Sequence, residues 1–429
     1  MDAIFENLKD PLAKLLLQFI VIILATRTVG SLFKRFGQPS VIGEITAGII
    51  LGPSLFGWLW PDASNFLFQK SSLGNLQLFS QIGVCVFMFV VGLELDLTHV
   101  REKARAALIV SNAGIVVPFA LGVGSAFLLY PAFGALGSSF TAFALFMGIA
   151  MSITAFPVLV RILKDRGMAK TPLGTMAITC AAAGDATAWA ILAFVVAIAR
   201  ATGLASTFLN LGLVALFVAM MLFIVRPQLS RWLGANGTLT NGMIAAALIF
   251  MTASALATQV IGIHALFGAF LAGVVMPQKK EFREFLTVRL ENFSSVFLLP
   301  LFFAFSGLRT QVGLLNDATS WLVCAGVIAV AVAGKLGGTT LAARFTGMSW
   351  NDSFSLGALM NTRGLVELIA LNIGYDLGIL PPRIFTMMVL MALGTTFMTG
   401  PLLTLAEKMK RRRTPTVLSN KGVATSGEN

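Results

Sequence analysis

The sequence predicts an all-α polytopic membrane protein, with about thirteen transmembrane helices in two inverted repeats. Three observations carry that prediction. The chain is 57% hydrophobic and 12% charged, with a mean hydropathy of +0.86, whereas a soluble domain is about 25% charged. Apolar runs of about 17 to 25 residues, the length that crosses a bilayer core, recur along the whole chain. Lys and Arg also alternate between loops, 21 on one side against 6 on the other, as expected when basic loops stay cytoplasmic. That asymmetry implies an odd number of spans, with the amino terminus outside and the carboxyl terminus inside.

Span 1 covers 12–32. The segment before it mixes Asp2, Glu6 and Asp10 with Lys9 and Lys14, and no small-residue cleavage pattern follows, so it reads as a retained span. Arg27 lies near its cytoplasmic end, where its head can snorkel to the headgroups. Spans 2 (40–58) and 3 (76–95) carry Glu44 and, near the cytoplasmic end, Glu94. Span 4 covers 106–130, and span 5 (140–162) is interrupted by Ser152-Ile153-Thr154-Ala155-Phe156-Pro157. The proline lacks a backbone donor and clashes with the preceding turn. A simple kink is the alternative for this span taken alone.

Span 6 (171–199) holds Asp185 among Ala181, Ala182, Ala183, Gly184 and Ala186. Spans 7 (207–226), 8 (240–258) and a short 9 (262–276) follow, then 10 (291–308) and 11 (319–344), the last with Lys335 near its middle. Span 12 (353–375) is broken by Asn361-Thr362-Arg363-Gly364, and span 13 covers 382–407. The cluster Lys408, Lys410 and Arg411 to Arg413 precedes a polar tail from Thr414 to Asn429 and is expected to meet anionic headgroups.

The halves repeat. Val41-Ile42-Gly43 is expected to open span 2 and Val260-Ile261-Gly262 to open span 9, while Gly92-Leu93-Glu94 and Gly307-Leu308-Arg309 close spans 3 and 10. An offset of seven spans inverts the second copy, which is a transporter architecture. Two helix breaks at matching positions point to a cavity at mid-membrane, because irregular backbone there must be buried in protein or line water. Exposed carbonyls and threonine hydroxyls in that cavity suit a hard cation.

Asp185 is the leading functional candidate, since an intramembrane acid marks transport or a proton relay by default. Desolvation disfavours its charged form and an incoming cation favours it, so one acid can carry either a proton or a cation. Competition between the two gives exchange. Arg363 and Glu367, four residues apart, suit an intrahelical ion pair. Glu44 fits either a funnel acid or a structural role, and Glu94 an interfacial or structural acid.

Other classes fit poorly. Basic residues form no patch with interleaved aromatics for nucleic acid. Cys85, Cys180 and Cys324 lie apart in apolar runs, and His99 and His264 have no metal spacing, so no enzyme site, cofactor or resident metal is expected. A channel sharing the mid-membrane break is the alternative, but channels draw rings of carbonyls or acids from repeated subunits. After the short tail no nucleotide-binding domain is expected, and no Gly-rich phosphate motif appears.

Five segments carry a family resemblance: VIGEITAGIILGPS from Val41, FVVGLELDL from Phe89, SITAFPVLVRIL from Ser152, AAAGDATAWAILA from Ala181 and NTRGLVELIALNIG from Asn361. From about residue 10 to 405 the chain resembles the monovalent cation:proton antiporters, which include bacterial Na⁺/H⁺ and K⁺/H⁺ antiporters and the plant cation/H⁺ exchangers. The last segment is especially like the plant exchangers. The resemblance implies a homodimer in the bacterial plasma membrane that exchanges Na⁺ or K⁺ for H⁺. It implies scaffold helices at 1–97 and 231–310, transport-core helices at 98–203 and 311–407, a linker helix at 204–230 and a basic cytoplasmic tail at 408–429. It assigns ion binding to Asp185 with Thr154 and Ser152, and charge balance to Lys335, Arg363 and Glu367. The family usually has Asp or Asn before the transport acid; here Gly184 stands there. Lys335 therefore lacks its usual partner, and either pairs with Asp185 or becomes neutral. A single titrating acid implies electroneutral exchange.

Overall fold

The computed structural model describes residues 10–94, 104–134, 139–200, 204–235, 240–277 and 279–413. Arg101, Lys103, the end of the FVVGLELDL segment and the tail from Thr414 lie outside them. Among the described residues the chain is wholly helical, and eleven helices are long and apolar enough to cross a membrane. A bent pair and one short apolar helix bring the number to the thirteen expected.

The first repeat comprises α1 (Pro11–Arg35), α2 (Ser40–Leu51), α3 (Lys70–Glu94), α4 (Ala104–Phe133), the halves α5a (Phe140–Ser152) and α5b (Phe156–Asp165), and α6 (Pro172–Arg200). A linker, α7 (204–235), follows. The second repeat runs through α8 (Asn241–Ile261), α9 (Ala265–Val275), α10 (280–308), α11 (318–345), the halves α12a (Trp350–Met360) and α12b (Leu365–Asp376), and α13 (Pro382–Arg413). Asp10 caps α1, accepting from the Leu12 and Ala13 amides, and Asp317 caps α11 through Ser320. Three π-helical turns, Met221–Val225, Ser294–Leu298 and Ala333–Gly337, interrupt α7, α10 and α11. The last carries Lys335.

Several boundaries differ from the expected ones. α2 stops at Leu51, at Gly52 and Pro53, and a short helix, Phe56–Leu59, completes the expected span to residue 59, while α10 begins eleven residues before span 10 was expected. Val260-Ile261-Gly262 does not open α9. It ends α8, with Gly262 at φ +99° as the left-handed cap, whereas Val41-Ile42-Gly43 lies in the first turns of α2. That three-residue match is therefore not at equivalent positions. Of the other match, Gly307-Leu308-Arg309 closes α10, with Arg309 as its cap, and Gly92-Leu93-Glu94 is the last described part of α3.

Backbone contacts through glycine tie helices together in pairs. A Cβ at Gly48 would overlap the Ala304 carbonyl, one at Gly307 the Ile45 carbonyl, and ones at Gly92 and Gly273 the Phe270 and Phe89 carbonyls. These contacts lock α2 to α10 and α3 to α9. Gly122 meets Gly148, and Gly357 meets Thr340, so α4 is tied to α5a and α11 to α12a. Close approach of small residues is how helices associate where lipid supplies no hydrophobic drive.

Candidate ion-binding site

The two breaks cross. Residues 153–155 run extended between α5a and α5b, and Pro157 falls in the first turn of α5b, where its missing N–H costs nothing. Residues 361–364 part α12a from α12b with a bend of 43°. The segments join directly: the Ala155 amide donates to the Thr362 carbonyl at 2.9 Å, and the Thr154 hydroxyl donates to the Met360 carbonyl at 3.2 Å. Gly364 is needed at this contact, because a Cβ there would stand 3.0 Å from Val158 and 3.3 Å from Ala155.

Four helix ends thus meet inside the protein, and their unpaired backbone groups need partners. Arg363, 1% exposed, donates through Nη1 to the Ala150 carbonyl and through Nη2 to the Met151 carbonyl, both at 2.7 Å. Lys335, equally buried, donates through Nζ to the Gly114 carbonyl at 2.7 Å and also to the Ser152 carbonyl. Three successive carbonyls at the C-terminus of α5a are therefore capped by cations, where the helix dipole favours them. At the start of α12b, Glu367 stands 3.5 Å from Arg363 as the expected i,i+4 pair.

Lys335 thus makes its hydrogen bonds to two backbone carbonyls, and among the described residues no ion pair or hydrogen bond joins it to Asp185. A neutral amine retains two N–H groups, so either protonation state serves those two carbonyls.

Asp185 is 4% exposed, and neither carboxylate oxygen has a hydrogen-bond partner. The oxygens of Glu367 also accept no hydrogen bond, but its charge is paired with Arg363. Asp185 alone among these buried charges has neither kind of partner among the described residues. Gly184 beside it leaves space, since a Cβ there would meet the Ser111 hydroxyl at 3.2 Å and little else.

Ser152 donates to the Gly148 and Ile115 carbonyls at 2.7 and 3.1 Å. A hydroxyl has one proton and two lone pairs. With their protons committed, Ser152 and Thr154 have oxygens free to coordinate. Glu44 lines a cavity of about 380 Å³ on the basic-loop side, between α2, α3 and α10 on one wall and α5b on the other. The cavity reaches the crossing at Phe156, Pro157 and Leu365, and Asp185 is not among its lining residues.

Sequence reasoning missed the support given by α13. Thr396 accepts from the Arg363 amide and donates to the Arg363 carbonyl, both at 2.8 Å. Thr362 and Thr399 share a hydroxyl contact at 3.4 Å, and Asn361 reaches the Thr395 carbonyl. The spacing of Thr395, Thr396 and Thr399 in an otherwise apolar helix was the available signal. The receiving carbonyls of Gly114, Ala150 and Met151 left none.

The family model described as "Sodium/hydrogen exchanger, transmembrane" matches residues 20–406. The Na⁺/H⁺ antiporter NhaS4 of Synechocystis sp. is 45% identical over 397 residues, covering 92% of this chain and 97% of that protein. Cation/H⁺ antiporter 20 of Arabidopsis thaliana is 40% identical over 402 residues, and K⁺/H⁺ antiporter 1 of Saccharomyces cerevisiae is 32% identical over 407. The chain spans about half the length of these last two, 48% and 46%. The solved structure of the sodium proton antiporter MjNhaP1 from Methanocaldococcus jannaschii superposes with a TM-score of 0.66 over 92% of this chain and 99% of that one, at 11% identity. That likeness speaks for the fold.

Proposed function

The chain belongs to the sodium/hydrogen exchanger family, and from that premise we propose that it is a secondary antiporter in which Asp185 binds a monovalent cation and a proton in turn. The observation that carries this reading is the bare carboxylate of Asp185, buried with no hydrogen-bond partner. A charged acid in that position is costly unless a proton or a cation joins it. Relatives named as Na⁺/H⁺ and K⁺/H⁺ antiporters support Na⁺ or K⁺ as the cation.

Ser152 and Thr154 supply neutral oxygen ligands in this proposal, while Lys335, Arg363 and Glu367 hold the helix ends in place. Glu44 draws cations into the funnel, and the basic-loop side is cytoplasmic, in a plasma membrane. The glycine contacts support a scaffold of α1–α3 and α8–α10, through which two copies associate, and a core of α4–α6 and α11–α13. The core moves against the scaffold to expose Asp185 to each side in turn.

The test is exchange in proteoliposomes. Wild-type protein collapses a preset pH gradient when Na⁺ or K⁺ is added, and Asp185→Asn, which neither releases a proton nor offers a full charge, abolishes that flux. Substantial cation-dependent proton flux from the purified variant would remove Asp185 from its role. Because Gly184 leaves one acid at the site, exchange is one proton for one cation, with an equilibrium independent of imposed voltage. A voltage-dependent equilibrium implicates Lys335 as a second proton carrier.

A further inference from the structure

Opposite the funnel, the seam between the two helix sets is closed by polar contacts. Arg309, at the end of α10, lies 2.7 Å from the Asp376 carboxylate and donates to Asn372 Oδ1 at 2.9 Å. Gln77 Nε2 of α3 donates to Asp376 Oδ2 at 3.1 Å, and Asn372 Nδ2 donates to the Ser306 hydroxyl at 2.8 Å. The Arg309 guanidinium also lies over the Tyr375 ring, 5.0 Å from its centroid. Each contact joins α3 or α10 to α12b.

Two spaces flank this cluster. One, of about 920 Å³, is lined by Asn65, Gln69, Gln77, Arg309, Gln311 and Tyr375 among others. The other, about 20 Å³, lies among Gln81, His264, Ile369, Asn372 and Asp376, with room for one water. His264 holds φ at +114° beside it, a strained conformation of the kind that gathers at functional elements. Across the funnel the charges stand apart instead. Glu44, Glu94 and Glu291 face Arg161 and Lys164, and no ion pair joins them among the described residues.

We infer that Arg309, Asp376 and Asn372 form a charged latch that holds this side shut, and that it must part before Asp185 can face that side. The inference rests on the alternating-access reading above. When the core moves, the latch breaks and the two spaces join, while the funnel closes and brings its acids and bases together. One set of ion pairs replaces another, which keeps the two end states close in energy.

Single cysteines at Ile369 and Leu365, in a background with Cys85, Cys180 and Cys324 changed to Ala, report access when a charged thiosulfonate is applied to either face of proteoliposomes. Arg309→Gln and Asp376→Asn should each raise labelling at 369 from the side opposite the funnel by roughly tenfold, about 1.4 kcal/mol of shifted equilibrium. Labelling at 365 from the funnel side should fall, and exchanging the two charges in Arg309→Asp/Asp376→Arg should restore the original pattern. Unchanged labelling at 369, or a rise from both faces together, overturns the latch. If the charge variants do not fold, Gln77→Ala and Asn372→Ala are judged by the same criterion. Cation-driven proton flux of the unaltered protein, recorded in parallel, tests the antiport reading separately, since the latch is decided by labelling alone.

Discussion

At the first break, between Ser152 and Phe156, the backbone is held by a few contacts, and Asp185, the acid of α6 in the same repeat, has no hydrogen-bond partner among the described residues. At the second, between Met360 and Leu365, the polar contacts centre on one residue: Thr396 holds both backbone groups of Arg363, and the Arg363 side chain caps α5a. Inverted repeats would allow both breaks to be built alike. The difference teaches that one half of the repeat serves as clamp and the other is left with unspent coordinating capacity. Charge at the second break satisfies backbone, whereas the Asp185 carboxylate has no hydrogen-bond partner among the described residues.

Removing the clamp should cost most. Arg363→Gln leaves the Ala150 and Met151 carbonyls and the Glu367 carboxylate buried without their cation, and should lower stability by about 3–5 kcal/mol. Thermal unfolding of the purified protein measures this, and a loss below about 1 kcal/mol would erase the distinction between the breaks. Thr396→Val strips two hydrogen bonds from the Arg363 backbone and should cost about 1–3 kcal/mol by the same assay.

Thr154→Val, at the first break, should cost only about 1 kcal/mol of stability. Its larger effect should be a weaker apparent cation affinity in transport, and unchanged affinity for every alkali cation would make Thr154 a packing residue. The smallest stability effect belongs to Asp185→Asn, which has no hydrogen bond to lose. Its melting temperature should match or exceed that of the wild type although exchange is gone, and a marked fall would mean that Asp185 has a structural partner.

Much of this was legible in the sequence. The thirteen spans follow from run length and loop charge, and both breaks from Pro157 and from Asn361 to Gly364. Asp185, Lys335, Arg363 and Glu367 stand out because charge is rare in apolar runs. The partners of those charges were not legible. Lys335 and Arg363 bind carbonyls, which every residue carries, so no residue type marks the acceptors. Arg309 read only as the residue that closes span 10, because its pairing with Asp376 depends on how α10 and α12b approach. The Val260 to Gly262 match misled because the same three residues fit both the first turns of a helix and a left-handed cap.

The short helices α2 and α9, in the proposed scaffold, have a consequence for how far the ion must travel. They have 12 and 11 residues, about 18 and 16 Å at 1.5 Å per residue, against a hydrocarbon core of about 30 Å. The funnel begins beside the first turn of α2, and the one-water space beside the first turn of α9. In the proposed cycle, the stretch between these two spaces is set by helices little more than half as long as a bilayer core is thick, so the transport core needs to carry a bound ion over only that reduced length to change sides.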